Sequence, residues 1–212
     1  MKRQQENNSL IKSQKRVADH GEVFTPNWLV EDMLAEVKDE CSRIESKVLE
    51  SACGAGNFLK PVLHRKLRSV QERYGKSDFE KNNYALCSLM SIYGIELLAD
   101  NISECRESLL AIFVDFLEVS TDSKWHQAAI QVLNSNIIEG DALTLLKSDG
   151  SAIIFPEWSY LGKGKYQRRD FRYDELTQRS SIVGTLFELA EEHEIFVPVK
   201  TYPQMTVEEI FS

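Results

Sequence analysis

Val48-Leu-Glu-Ser-Ala-Cys-Gly-Ala-Gly-Asn-Phe-Leu59 decides how the rest of the chain is read. A short apolar run beginning at Lys47 ends at Glu50, turns through Gly54-Ala-Gly56, and passes into a helical pattern from Asn57 to about Arg73. Glycines at such a strand-to-helix turn let the backbone bend tightly and let a ligand approach it. Pro61 falls in the first turns of the helix, where a missing N–H costs little. The dinucleotide fingerprint G-x-G-x-x-G is not met, because Leu59 stands at its third glycine. By itself the segment can also be read as a tight turn with no ligand.

Outward from this turn, short apolar strands alternate with helices. Strands are expected at Ser91-Ile-Tyr-Gly-Ile-Glu96, Asn136-Ile-Ile-Glu-Gly-Asp141 and Ser151-Ala-Ile-Ile-Phe155, with a further one at Ile195-Phe-Val-Pro-Val199. Thr25-Pro26 is a helix start signal, and Trp28, Leu29, Met33, Leu34 and Val37 are expected to share one face of that helix. Further helices are expected over 84–90, 99–119, 122–132 and about 182–194, with a loop over 75–83. This alternation predicts an α/β fold, a mainly parallel sheet with flanking helices. Residues 1–20 read as a polar, basic arm and 21–212 as one domain, without internal repeats.

The composition agrees. A chain of 212 residues with 42% hydrophobic and 27% charged residues can bury a core without staples. No apolar run approaches the roughly 20 residues of a bilayer span, and no secretory signal is visible. The expectation is a cytoplasmic protein with no membrane partner. The cysteines at 41, 53, 87 and 105 form no CxxC pair and histidine is scarce, so neither a metal site nor a disulfide framework is expected. A net charge of −8 argues against simple non-specific nucleic-acid binding.

Two more strand ends carry acids. Glu96 closes the second strand, where a carboxylate can accept both hydroxyls of a ribose. Asp141 follows the third, where a carboxylate can accept from an adenine amino group. Either acid alone reads equally as a solvated strand end. Three such turns in order, on one edge of one sheet, point to a shared ligand.

With these residues in place, the chain resembles the cofactor-binding half of an S-adenosylmethionine-dependent methyltransferase. More narrowly, it resembles the N6-adenine DNA methyltransferases of bacterial restriction–modification systems. The resemblance covers roughly residues 20–146. It implies a Rossmann-like class I methyltransferase fold, whole or truncated, with only 71 residues after Asp141. In that family a segment like Gly21-Glu-Val-Phe-Thr-Pro26 helps to hold the methionine end of the cofactor, which assigns Phe24 and Thr25. The family pattern Asp-Pro-x-x-Gly-x-Gly-x-Phe-Leu corresponds to Glu50 through Leu59. It assigns Glu50, Ala52, Gly54, Gly56, Asn57 and Phe58 to the cofactor, with Glu and Ser51 replacing the usual Asp and Pro. Glu96 matches the ribose acid, and Asp141 with Ala142 the adenine-reading turn. Glu96, at a strand's carboxyl edge, is expected to contribute little to the core. Cys53 reads as packing rather than as a nucleophile.

The resemblance stops at the catalytic tetrapeptide, Asn or Asp followed by Pro-Pro and an aromatic, which should follow the fourth strand. Phe155-Pro-Glu-Trp158 stands there instead. A divergent site, a dead site and a structural corner are all compatible with it. As a divergent site it assigns Trp158 to stacking on a flipped base and Glu157 to the target amine. The following stretch, Tyr160 to Tyr173, interleaves aromatics with Lys163, Lys165, Arg168, Arg169 and Arg172. It reads either as a phosphate-binding, base-stacking loop or as a solvated loop pinned by its aromatics. The expected function is methyl transfer to N6 of adenine in DNA, alone or with a specificity or restriction subunit. The alternative is an inactive S-adenosylmethionine-binding module working with a partner subunit. A third is methyl transfer to RNA, protein or a small molecule.

Overall fold

The structure, a computed structural model, describes residues 12–20, 22–23, 25–182 and 197–212. In chain order the helices are α1 (Gln14–His20), α2 (Asn27–Glu36), α3 (Lys38–Ser42), α4 (Leu59–Tyr74), α5 (Asp78–Met90), α6 (Ala99–Leu117), α7 (Lys124–Asn136) and α8 (Tyr173–Ile182). The strands are β1 (Val48–Glu50), β2 (Ile92–Glu96), β3 (Ile137–Glu139), β4 (Ile154–Gly162), β5 (Lys165–Arg172) and β6 (Lys200–Thr201). Beyond Ile182 the expected helix over 182–194 lies outside the described residues, as do Ile195 and Phe196, Phe24 and most of the arm; residues 197–199 of the expected strand are described and form no strand, which begins instead at Lys200.

Strands β1, β2 and β3 form a parallel sheet in that spatial order, with Glu50 opposite Gly94 and Glu96 opposite Glu139. Parallel strands need long crossovers, and each crossover here holds two helices. One sheet face, through Val48, Ile92 and Ile137, packs on the helices. The buried positions of α4, Leu59, Val62, Leu63, Lys66, Leu67 and Val70, follow the spacing of a single helical face. Helix α5 begins inside the stretch expected to be loop. Ser77 caps it, accepting from the Glu80 amide at 3.3 Å, so Ser77 and Glu80 supply the Ser-x-x-Glu start signal. On α2 the inward residues are Val30 and Leu34, whereas Trp28, Leu29, Met33 and Val37 are exposed. The expected apolar face is therefore split, because only the Val30–Leu34 ridge at i, i+4 meets the core.

The fourth strand is the main correction. It does not join the parallel sheet. Residues 154–162 pair antiparallel with β5, and β5 with β6, in a second sheet of order β4-β5-β6. Gly162, Lys163 and Gly164 all take positive φ and fold the chain straight back into β5. Strand β4 is buried on both faces. Phe155 joins Tyr93, Ile95, Ile138 and Ile153 beneath the parallel sheet, whereas Trp158 faces the helical core. Asn136 locks this arrangement: its amide donates to the carbonyls of Leu89, Met90 and Ile92, and its oxygen accepts from the Trp158 indole N–H at 3.0 Å. No helix among the described residues is long and apolar enough to cross a membrane.

Candidate functional site

At the carboxyl ends of β1, β2 and β3 lies a cavity of about 560 Å³. Ligands in open α/β sheets bind at this edge, and the volume suits a molecule of cofactor size. The sheet brings Glu50, Glu96 and Asp141 to its wall from three consecutive strand ends. Ala52, Gly54, Asn57 and Phe58 line it from the glycine turn, Ala142 from the turn after β3, and Thr25 from the segment before α2.

The glycine turn is held by hydrogen bonds that the sequence does not display. The Glu96 carboxylate accepts from the backbone amides of Gly54 at 2.9 Å and Leu98 at 3.1 Å, and from the side-chain amide of Asn101 at 3.4 Å. Thus Glu96, outside the core, ties the turn after β1 to the start of α6. Asn101 also donates to Glu22 at 2.6 Å. Glu50 accepts from the Ala52 amide at 3.3 Å, and Asp141 from the Leu143 amide at 2.8 Å. The last two are local turns that build the wall around each acid.

Gly54 and Gly56 both take positive φ, 52° and 82°. Gly56 does not line the cavity. A Cβ added there would lie 3.0 Å from Cys105 Sγ on α6, so this glycine serves strand–helix packing rather than ligand approach. Cys53 and Cys105 are buried free thiols behind the turn, and the hydrogen bond that Cys53 donates to Cys105, together with burial, raises the Cys53 pKa above the ordinary thiol range.

Electrostatics give the cavity its character. Glu22, Glu50, Glu96 and Asp141 line it, and no Lys, Arg or His does among the described residues. Glu22 is compensated from outside, because Arg16 on α1 binds its carboxylate and also bonds Asp100. The hydrogen bond from Arg16 holds the Glu22 carboxyl below its usual pKa. The other three acids leave the cavity negative, a setting for a cationic ligand and hostile to polyphosphate. No cluster of three or more His, Cys, Asp or Glu placed to hold a metal ion exists among the described residues. Sequence reading passed over Asn101, which sits on a helix and announces itself by no motif. It passed over Glu22 as well, although Glu22 stands inside the quoted Gly21–Pro26 segment.

The expected catalytic pair is elsewhere. Neither Glu157 nor Trp158 lines the cavity. Trp158 is only 9% exposed, its N–H is taken by Asn136, and the Arg168 guanidinium lies 5.2 Å from its ring centroid. No face of the ring is open to a base, so the stacking role expected for Trp158 is replaced by a core role. Glu157 is held between Lys47, at 2.6 Å, and Arg169. Burial opposes its ionisation, but the bonds from the two cations outweigh burial and lower its pKa. A carboxylate already doubly paired is a poor acceptor for an incoming amine.

The basic stretch is likewise a hairpin rather than a loop. Arg168 pairs with Asp170 at 2.6 Å and lies between Trp158 and Tyr202; Arg169 pairs with Glu157; Arg172 pairs with Asp174 at 2.6 Å. Lys163 and Lys165 are exposed at its tip. The arm's Lys12 and Arg16 are also engaged, on Asp100, Glu104 and Glu22. Internal carboxylates therefore neutralise most of the positive charge that suggested phosphate contacts.

The chain matches no protein-family model, no curated protein and no solved structure.

Proposed function

We propose that the chain binds S-adenosylmethionine in the cavity at the ends of β1–β3, as the cofactor half of a methyltransferase of the DNA adenine N6 type. The observation that carries this reading is the set of three strand-end acids around the glycine turn, in a cavity lined by no cation among the described residues. S-adenosylmethionine is a cationic sulfonium that also bears an ammonium group, and it has no phosphate. A nicotinamide dinucleotide would place a pyrophosphate among the acids. Glu50 would meet the amino group, Glu96 the ribose and Asp141 the adenine amine, with the Gly54–Gly56 turn beside the amino-acid part. When bound, the cofactor supplies an activated methyl group. These residues bind and orient it.

The acceptor side favours the second reading, a module that depends on a partner for turnover. The segment expected to hold the target base is built into β4, with Trp158 buried and Glu157 ion-paired. Within a restriction–modification system such a module would work with a subunit that supplies both DNA contacts and the groups that hold the base. Calorimetry tests the cofactor assignment: S-adenosylmethionine and S-adenosylhomocysteine should bind and NAD should not. Radiolabelled methyl transfer to unmethylated DNA separates an enzyme from a module. Transfer by the isolated chain would refute the partner-dependent reading.

A further inference from the structure

We propose that the open edge of β1 and the groove beside it receive an extended strand from a partner polypeptide, one with alternating apolar residues and an acidic residue near one end. Among the described residues β1 is paired on one side only, with β2. The Val48 amide donates to Ser91 at 2.9 Å on the β2 side, so alternation turns the Leu49 N–H and C=O to the other side. Leu49 is 40% exposed. An edge of this kind is a template for a further strand. In doubly wound sheets the strand order reverses beside the first strand, and the ligand crevice opens at that reversal. Here that place is empty among the described residues, because β4 pairs in the second sheet.

The groove defines what the strand must carry. It has a volume of about 250 Å³ and is walled by Leu49, Tyr93, Phe155, Phe171 and Leu176, a seat for apolar side chains. Lys47 and Glu157 stand at its rim, and Arg169, beside the groove, also pairs with the Glu157 carboxylate, so two cations share one anion. That rim has an excess of positive charge on a chain whose net charge is −8, which suits an acidic side chain on the strand. The groove and the cavity share β1: Lys47 and Leu49 line the first, Glu50 and Ser51 the second. A strand laid parallel to β1 therefore leads from the groove to the mouth of the cavity. There it would bring the acceptor-holding groups that Glu157 and Trp158 do not supply. This last step rests on the cofactor reading above; the docking itself rests on the edge and the groove.

Random linear peptides displayed on phage, selected against the full chain, are the probe. Enriched peptides should alternate apolar residues, carry Asp or Glu near one end, and protect the Leu49 amide from hydrogen exchange. They should lose roughly ten-fold or more in affinity on Leu49→Pro and on Lys47→Glu. Proline is tolerated where the N–H points off an edge, yet it removes the donor that a new strand needs. Lys47→Glu leaves the backbone intact and serves if the proline variant fails to fold. The proposal is overturned if no peptide is enriched, if enriched peptides bind both variants undiminished, or if the Leu49 amide is already protected in the free chain. S-adenosylhomocysteine calorimetry on the same protein separates the two readings. Cofactor binding without peptide binding removes the docking site alone, and peptide binding without cofactor binding removes the cofactor reading alone.

Discussion

Replacing Glu96 with alanine tests the fold and the site together. Its carboxylate accepts from two backbone amides, at 2.9 and 3.1 Å, and more weakly from Asn101. A hydrogen bond to a charged group contributes about 1.5–3 kcal/mol. Two such bonds would give about 3–6 kcal/mol in a dry interior. The cavity is open, so water replaces part of what is lost, and we expect Glu96→Ala to destabilise the chain by about 2 kcal/mol. Glu96→Gln keeps one acceptor oxygen but turns an amide N–H₂ toward the other donor, so it should recover less than half of that. Urea unfolding gives the stability change. Hydrogen exchange at the Gly54 and Leu98 amides shows whether the turn has loosened, and S-adenosylhomocysteine calorimetry reads the ligand side. Affinity should fall more than ten-fold in Glu96→Ala, since both the proposed ribose acceptor and the turn's geometry are affected. Unchanged stability with unchanged exchange at Gly54 would refute the tie between β1 and α6. Unchanged affinity would remove Glu96 from the binding site.

Four further outcomes are expected. Trp158→Ala should cost about 3–5 kcal/mol of stability, the scale for truncating a core aromatic, while folded protein keeps its S-adenosylhomocysteine affinity; a stable variant with impaired ligand binding would return Trp158 to the site. Gly56→Ala should lower the melting temperature, since it forces a side chain to φ 82° and against Cys105, and Cys105→Ala should restore only the steric part; full restoration would show that the backbone conformation costs nothing. Burial lowers the Lys66 pKa from 10.5 to about 8, although Nζ donates to the carbonyls of Arg43, Ile44 and Ser46. The unfolded chain then holds the extra proton between these values, so stability should rise with pH from 8 to 10.5, by roughly 3 kcal/mol at most, and Lys66→Met should abolish that part of the slope in urea titrations. Asp141→Asn should weaken S-adenosylhomocysteine binding by about 1–2 kcal/mol in calorimetry without altering the urea midpoint; an unaltered affinity would detach this acid from the adenine.

Which features were legible from sequence depended on how local their causes are. The β1 turn, the strand-end acids at 50, 96 and 141, and the face of α4 follow from glycine conformation, strand alternation and helical period, all of which act within a few residues. They suffice to place the cavity and most of its wall. The fate of 154–172 does not follow from such rules. An apolar run there reads as a parallel strand, but its partner is chosen by the positive-φ turn at Gly162–Gly164 and by the space that Asn136 and Tyr93 leave for Trp158 and Phe155. Likewise, five basic residues between aromatics look like a phosphate loop until three of them find carboxylates, Arg169 at Glu157 across the hairpin register, and Arg168 and Arg172 at Asp170 and Asp174 two residues on. Side-chain pairing across a hairpin, and the choice between two sheets, depend on contacts distant in sequence, and tertiary structure alone decides them. The sequence by itself determined that three strand-end acids meet around one glycine turn; packing determined that Trp158 is held in the core and Glu157 in ion pairs.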